Sequence, residues 1–325
     1  MRIIRFISHF VLFFTLCILM MSSFSACNTG SDNLQSDELN GTITISGAWA
    51  LYPIMTCWAE EFTKTNPYVQ FDISAGGAGK GMSDAIANAV DIGMVSRAIT
   101  PEEEAKGAYW ISVTKDAVFP VMNIENPVYT EILKSGIKRE FFVKIFITGD
   151  TKTWGEIVGI SEIKDEIHIY TRSDAAGAPE TWAKYLGKNQ EDLLGIGVFG
   201  DPGLVEAVVK DPLGIGYNNL GYSYDADSGK PNNGVMIIPI DANENGFADP
   251  DEILETKVEA INAVALGLYP SPPARELNLV THEKPKGLIK SFLEWILRDG
   301  QAFVGEAGYV QLTQAQLDEA LSKLR

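Results

Sequence analysis

The chain has 325 residues, 46% of them hydrophobic and 21% charged: enough apolar material for two lobes of ordinary domain size, and too ordered a composition for wholesale disorder. Its formal net charge of −17 excludes a nucleic-acid partner, because phosphate backbones are bound by Lys and Arg. A small anion stays open, since it answers to the local field of a cleft.

The N-terminus reads as an export signal: Arg2 and Arg5, then the apolar run FISHFVLFFTLCILMM, then the small-residue end SSFSAC. A membrane anchor is the alternative, as the run is nearly long enough to span. Cys27 after Ser25 and Ala26 favours the signal. It resembles the bacterial lipobox, with Phe24 where leucine is usual, and implies cleavage after residue 26 and a lipid on Cys27. Residues 27–40 form a polar tether. Cys17 would leave with the signal and Cys27 would carry lipid, so Cys57 alone remains and no intramolecular disulfide is available. With so few cysteines and histidines, zinc-finger and Cys/His-nucleophile chemistry has almost no support.

GTITISGAW (41–49) alternates like a strand. PIMTCWAEEFTKT (53–65) predicts a helix opening at Pro53, with Ile54, Trp58 and Phe62 on one face and Cys57, a structural thiol, beside it. VQFDISA is the next strand, the Gly-rich GGAGKG (76–81) leads to a helix over 82–89, and VDIGMVS reads as a buried strand. Thr100 with Glu103 forms a capping box. DAVFPVMN (116–123), IHIYTR, VMIIPI and RELNLVT (275–281) read as strands, and GIGYNNLGY as a tight turn. Helices are expected after Pro179, over 203–210, and at the C-terminus, where Thr313 and Gln316 cap the last one. Strands alternating with helices predict α/β layers.

The stretch RSDAAGAPETW (172–182) has the parts of an anion cradle: an arginine, a small-residue turn, and a proline opening a helix whose N-terminal N–H groups attract anions. DANENGFADPDE is the most specific local motif. Asp241, Asn243, Asn245, Gly246, Asp249 and Glu252 occupy positions 1, 3, 5, 6, 9 and 12 of an EF-hand-type loop, and Phe247 would add its backbone carbonyl. A structural calcium ion is therefore expected at 241–252. A solvated acidic turn is the alternative.

SGAWALYP with WAEEF, GGAGKG, VDIGMVSR, TWGEI, GIGY, YPSPPARELNLV and FLEWILRDGQ occur in one order over residues 41–325. In that order they resemble the PstS-type phosphate-binding proteins of bacterial phosphate ABC transporters. The resemblance implies a type II periplasmic-binding-protein fold, α/β, with two lobes joined by two hinge strands. Lobe one would be 41–119 plus 276–325 and lobe two 120–275, with DAVFPVMN and RELNLVT as hinges. It implies an anion held by the turn after the first strand, the Gly-rich turn and the arginine-led turn. Asp91 matches the family's aspartate, Arg172 its arginine and Gly177 a glycine whose N–H faces the ligand. The family's hydroxyls do not survive: Ala50 or Leu51, Ala78, Ala176 and Ala178 stand in their places, with Tyr52 beside the first. A hydrogen bond to a charged group contributes about 1.5–3 kcal/mol, so losing four donors removes about 6–12 kcal/mol unless something compensates.

The resemblance makes the chain a lipid-anchored binding protein of the cell envelope, on its periplasmic or cell-surface face, serving an ABC permease. Its ligand would be phosphate or a related oxyanion. The alternatives are a different, larger anion packing on Trp49 or Tyr52, and a sensing or adhesion module without transport. For Trp49, Tyr52 and Trp182, plain core packing competes with lining the cleft; for Asp91 and Arg172, a plain ion pair competes with ligand binding. An enzyme is not expected, because the positions that would carry a nucleophile are alanines.

Overall fold

The alternation in NGTITISG buries Ile43 and Ile45, and this segment is strand β1 (Asn40–Gly47) of a computed structural model that describes residues 38–271 and 273–325. The export signal, Cys27 and the tether up to residue 37 lie outside the described residues. β1 pairs in parallel with β2 (Tyr68–Ala75) and β3 (Ile92–Val95). Helix α1 (Tyr52–Thr65) returns the chain from β1 to β2 and buries Ile54, Trp58 and Phe62, one face at helical spacing. Trp58 is fully enclosed and its indole N–H donates to the Gly300 carbonyl at 2.8 Å.

Helix α2 (Ala78–Ile86) starts inside the Gly-rich turn, four residues before the expected 82. The reason is close packing. A Cβ at Gly81 would lie 2.9 Å from the Gly47 Cα and 2.4 Å from the Met94 carbonyl, so the glycine lets helix and strands touch rather than breaking the helix.

Two long strands come next. β4 (Ala108–Asn123) and β9 (Ala274–His282) pair antiparallel from Ala108–His282 to Ala117–Ala274. Only the second half of β4 is legible as an apolar run, because Ser112, Thr114 and Lys115 interrupt the first. β9 also pairs with β3, and the far half of β4 pairs with β7 (Gly214–Asn219) and β8 (Val235–Ile237). β5 (His168–Arg172) and β6 (Ile196–Val198) complete a sheet ordered β2-β1-β3-β9-β4-β7-β5-β6, with β8 beside β4. The segment expected as a tight turn is therefore strand β7, buried throughout. Its Gly216 admits Leu204 of a helix packed on it: a Cβ there would lie 2.7 Å from that side chain.

The principal helices after α2 are α3 (Gly177–Tyr185), α4 (Gly200–Lys210), α5 (Lys257–Ala265), α6 (Gly287–Ile296) and α7 (Gln314–Leu324). Both expected capping boxes are present, Thr100 with Glu103 and Thr313 with Gln316. The apolar side chains divide into two cores. One gathers residues between Ile43 and Val113 with residues between Leu277 and Leu324; the other gathers residues between Ala117 and Tyr269, with Val310. β4 and β9 run from one core into the other, which makes this a two-lobed α/β fold on two crossing strands. Among the described residues no helix is long and apolar enough to cross a membrane.

Candidate functional site

Parallel strands followed by helices place their C-terminal ends and the helix N-termini on one edge of each lobe. In lobe one that edge holds the turn Ala48–Leu51, the Gly77–Ala78 turn and Ser96 just after β3. In lobe two it holds Arg172, ending β5, and the start of α3. The two edges touch. Gly79 N–H donates to the Ala175 carbonyl at 3.1 Å, and Arg97 Nε lies 3.1 Å from a Glu180 oxygen while the same guanidinium grips Glu103 at 2.6 Å. Trp49 packs edge-on against Phe199, ring centroids 6.2 Å apart. Two glycines make the approach possible. Gly77 caps α2 at φ +91, and a Cβ on it would lie 2.6 Å from the Ala175 carbonyl; a Cβ on Gly177 would lie 2.2 Å from Ser96.

Two helix N-termini therefore converge from different lobes. In α3 the first-turn N–H groups are those of Gly177 and Ala178, because Pro179 has none. In α2 the Ala78 N–H opens the helix, its neighbour Gly79 being committed to Ala175. The first turn of lobe one offers less than expected: Leu51 N–H bonds Ala48 O, Tyr52 N–H bonds Trp49 O, and the Ala50 carbonyl accepts from the Tyr309 hydroxyl at 2.7 Å. Ala50, Leu51, Ala78, Ala176 and Ala178 are all buried, and Tyr52 is half-buried against Trp49. Trp182 belongs to the core: fully enclosed, it stacks on Tyr217 and meets Phe142 and Phe146 edge-on. Removing such a side chain costs about 3–5 kcal/mol, so this cluster fixes where α3 begins.

Asp91 is not brought to the cleft. It precedes β3, where its carboxylate accepts from the Thr44 N–H at 2.8 Å and hydroxyl at 2.7 Å, about 16 Å along the strand from Ser96. The residue that follows β3 at the cleft is Ser96, five positions on. The resemblance was carried to the wrong end of the strand.

Arg172 is at the cleft, with a side chain 1% exposed, and its guanidinium is fully engaged. Nε and a terminal nitrogen hold both oxygens of Asp174, at 2.7 and 2.5 Å, and the other terminal nitrogen holds Asp201 at 2.6 Å. Burial pulls the Arg172 pKa down, but Asp201 and Asp174 outweigh it, so the group stays a cation. Asp201 is itself fully enclosed, pushed up by burial against the pull of Arg172, and accepts from the Asn219 amide at 2.7 Å. Asn219 in turn accepts from Arg275 of β9, whose other terminal nitrogen donates to the Gly177 carbonyl at 2.5 Å and the Thr181 hydroxyl at 2.8 Å. Arg275 also faces Asp116, its cross-strand partner in β4, at 3.6 Å. Burial pushes the Asp116 carboxyl up to about 6 despite Arg275.

Sequence reasoning missed this network apart from Arg172. Asp174 stood two residues from Arg172 in the quoted stretch, whereas Asp116, Asp201, Asn219 and Arg275 come from four distant segments with no shared spacing. The network holds two guanidiniums against three carboxylates. Its charge is used up internally, and what the cleft offers an anion is backbone N–H together with the Ser96 hydroxyl beside Gly177.

The 241–252 loop lies in lobe two, tied to residues 134 and 137 by backbone bonds at 2.8 and 3.2 Å. The Asp241 side chain is fully enclosed and accepts from the N–H groups of Asn245 and Gly246 at 3.0 and 2.9 Å. Glu252 accepts from the N–H groups of Ala242 and Asp249, and the Asn243 and Asn245 amides donate to Asp249 at 2.7 and 2.9 Å. The Phe247 ring is exposed. Among the described residues no three His, Cys, Asp or Glu side chains gather at one point. A cation at this loop would need the asparagine and Phe247 carbonyl oxygens as well. Cys57 is half-buried and free, its thiol raised by burial and then by Glu61 and Glu60.

Residues 33–300 match the family model of the PBP superfamily domain. The chain is 29% identical over 317 residues to the phosphate-binding protein PstS of Bacillus subtilis, covering 94% of this chain and 95% of that one. It is 26% identical to PstS of Methanocaldococcus jannaschii, over 88% and 87% of the two chains. Among solved structures, a Clostridium perfringens protein with bound phosphate superposes with a TM-score of 0.68 at 22% identity, over 84% of this chain and all of that one. An ABC-type phosphate transport receptor from Vibrio cholerae gives 0.60 at 20% identity, over 83% of this chain and all of that one. At these identities the two structures speak for the fold.

Proposed function

The chain belongs to the PBP superfamily, and on that premise we propose that it is the substrate-binding protein of an ABC importer, taking phosphate or a close oxyanion between its lobes. The observation that carries this reading is the convergence of two helix N-termini from opposite lobes, with the Gly177, Ala178 and Ala78 N–H groups at their starts. Similarity to phosphate-binding proteins along nearly the whole chain supports it. Waters in the space that the alanines leave would complete the ligand's hydrogen bonds.

The carboxylates beside the cradle choose between oxyanions. Asp174 lies within 2.9 Å of where a Gly77 Cβ would stand, and the network around it has one carboxylate in excess. A fully deprotonated oxyanion meets only repulsion there, whereas one that keeps a proton can donate it to a carboxylate oxygen. Calorimetry on the mature chain at pH 7 should therefore show phosphate binding more tightly than sulfate. Equal affinities would overturn the selectivity argument, and no binding of either would overturn the oxyanion reading.

The cleft binds without turnover on this reading, so a generic phosphate ester should stay intact. The protein would sit at the cell envelope on a lipid at Cys27 and hand its ligand to a permease. Cys27→Ser should release it from membranes or leave it unprocessed, and mass spectrometry finding residues 1–26 still attached to the wild type would refute the anchor. We also assign one structural calcium ion to the loop. Asp241, Asn243, Asn245, the Phe247 carbonyl, Asp249 and Glu252 would supply its oxygens, the two amides turning carbonyl oxygens inward.

A further inference from the structure

A second cavity, of about 620 Å³, opens beside the hinge strands. That is the size of a small-molecule site and far larger than an inorganic ion needs. Of the cleft network only Arg275 reaches it. Its walls are Lys115, Arg275 and Glu276 on the hinge strands, Arg139, Tyr185 at the end of α3, residues 264, 267–271 and 274, and the start of the 241–252 loop.

Its cations are unlike those of the cleft. Among the described residues neither Lys115 nor Arg139 has a carboxylate within salt-bridge distance and the Lys115 amine has no hydrogen-bond partner, although Glu276 stands opposite Lys115 in the β4–β9 pairing. Arg139 donates through Nε to the Tyr185 carbonyl at 2.5 Å and lies over the Tyr185 ring, 5.6 Å from its centroid, which leaves its terminal nitrogens free. Arg275 Nε is buried with no hydrogen-bond partner. Two of the three lining acids are occupied elsewhere: Asp241 within its own loop, and Glu276 with Ser112 at 2.5 Å and Gln316 at 2.6 Å. Glu244 is exposed at the rim. Lys115 and Arg139 thus line the cavity with their charge unmet by any ion pair among the described residues. Beside them the wall is apolar: Val264, Leu268, Tyr269 and Pro270.

We propose that this cavity binds a small organic carboxylate, its charged end shared by Lys115 and Arg139 and its hydrocarbon body lying on Val264, Leu268 and Tyr269. Guanidinium and ammonium groups bind a carboxylate by charge-assisted hydrogen bonds, and the apolar wall removes the body from water. Inorganic phosphate has no body to bury, which separates this site from the cleft.

The test uses hexanoate as probe, with hexylamine and 1-hexanol as charge controls, titrated into the mature chain and followed by calorimetry and saturation-transfer NMR. Saturable hexanoate binding at least about tenfold tighter than either control is expected. The double variant Lys115→Gln/Arg139→Gln should weaken it by about tenfold or more while phosphate binding in the cleft is kept. Lys290→Gln, on α6, should leave hexanoate binding unchanged, and unaltered melting curves would show that the variants fold. No saturable binding in the millimolar range, equal binding of hexylamine, or indifference to the double variant would each overturn the proposal.

Discussion

Arg172 in the cleft is enclosed by Asp174 and Asp201, whereas among the described residues Lys115 and Arg139, lining the hinge-side cavity, have no carboxylate within salt-bridge distance. All three are cations beside a concavity, yet they do different work. A guanidinium buried against two carboxylates is scaffold, and its removal strands both partners in a medium that cannot solvate them. A cation without a partner is available to a ligand, and its removal is felt in binding. Pairing, rather than the number of cations, decides where an anion's charge can be met.

The sharpest way to break that contrast is to remove each cation in turn. Arg172→Ala should destabilise the fold by about 3–5 kcal/mol in urea denaturation. Lys115→Ala and Arg139→Ala should each stay within about 0.5 kcal/mol. If Arg172→Ala abolished anion binding with stability intact, the arginine would be a ligand group after all.

Asp116 sharpens the contrast through pH. Its folded pKa of about 6 lies above the ordinary 3.8, so between these values the native state holds a proton that the unfolded chain has lost. Stability from this group is therefore highest below pH 3.8, falls as pH rises to about 6, and is flat above, a total of about 3 kcal/mol. Asp116→Asn keeps an oxygen for the Ala117 and Leu220 N–H groups and removes the titration. Denaturation curves at pH 4, 5, 6 and 7 should show the variant's pH dependence flattened across that window, and an unchanged slope would mean that Asp116 is not the group responsible.

The calcium ion proposed at the 241–252 loop gives a smaller effect. A hundredfold excess of calcium over its dissociation constant stabilises the native state by about 2.7 kcal/mol. Chelation should lower the melting temperature, and Asp241→Ala should abolish the difference. Identical melting with and without chelator would remove the ion from the account.

What the sequence made legible follows from how local each signal is. Strand β1, helix α1 and both capping boxes are written in consecutive residues, and their limits were nearly right. The first half of β4 and all of β7 were not legible, because polar and glycine residues there are buried by strands and helices distant in sequence. The cradle itself, Arg172 to Ala178, is one short segment and could be read. Its electrostatic character could not, since Asp201, Asn219 and Arg275 reach Arg172 only through the fold. Asp91 shows the limit of matching by motif: a shift of five residues along β3 moves a carboxylate from one end of the sheet to the other.

The central claim is that the cleft holds its oxyanion chiefly with backbone N–H groups, with no hydroxyl at Ala50 or Leu51, Ala78, Ala176 and Ala178. The most direct test is a calorimetric titration of phosphate into the wild-type chain and into an Ala78→Ser/Ala178→Ser variant. The account predicts wild-type binding far weaker than nanomolar, strengthened at least about tenfold by the restored hydroxyls, since each bond to a charged group contributes about 1.5–3 kcal/mol. Nanomolar affinity in the wild type, with no gain in the variant, would contradict it.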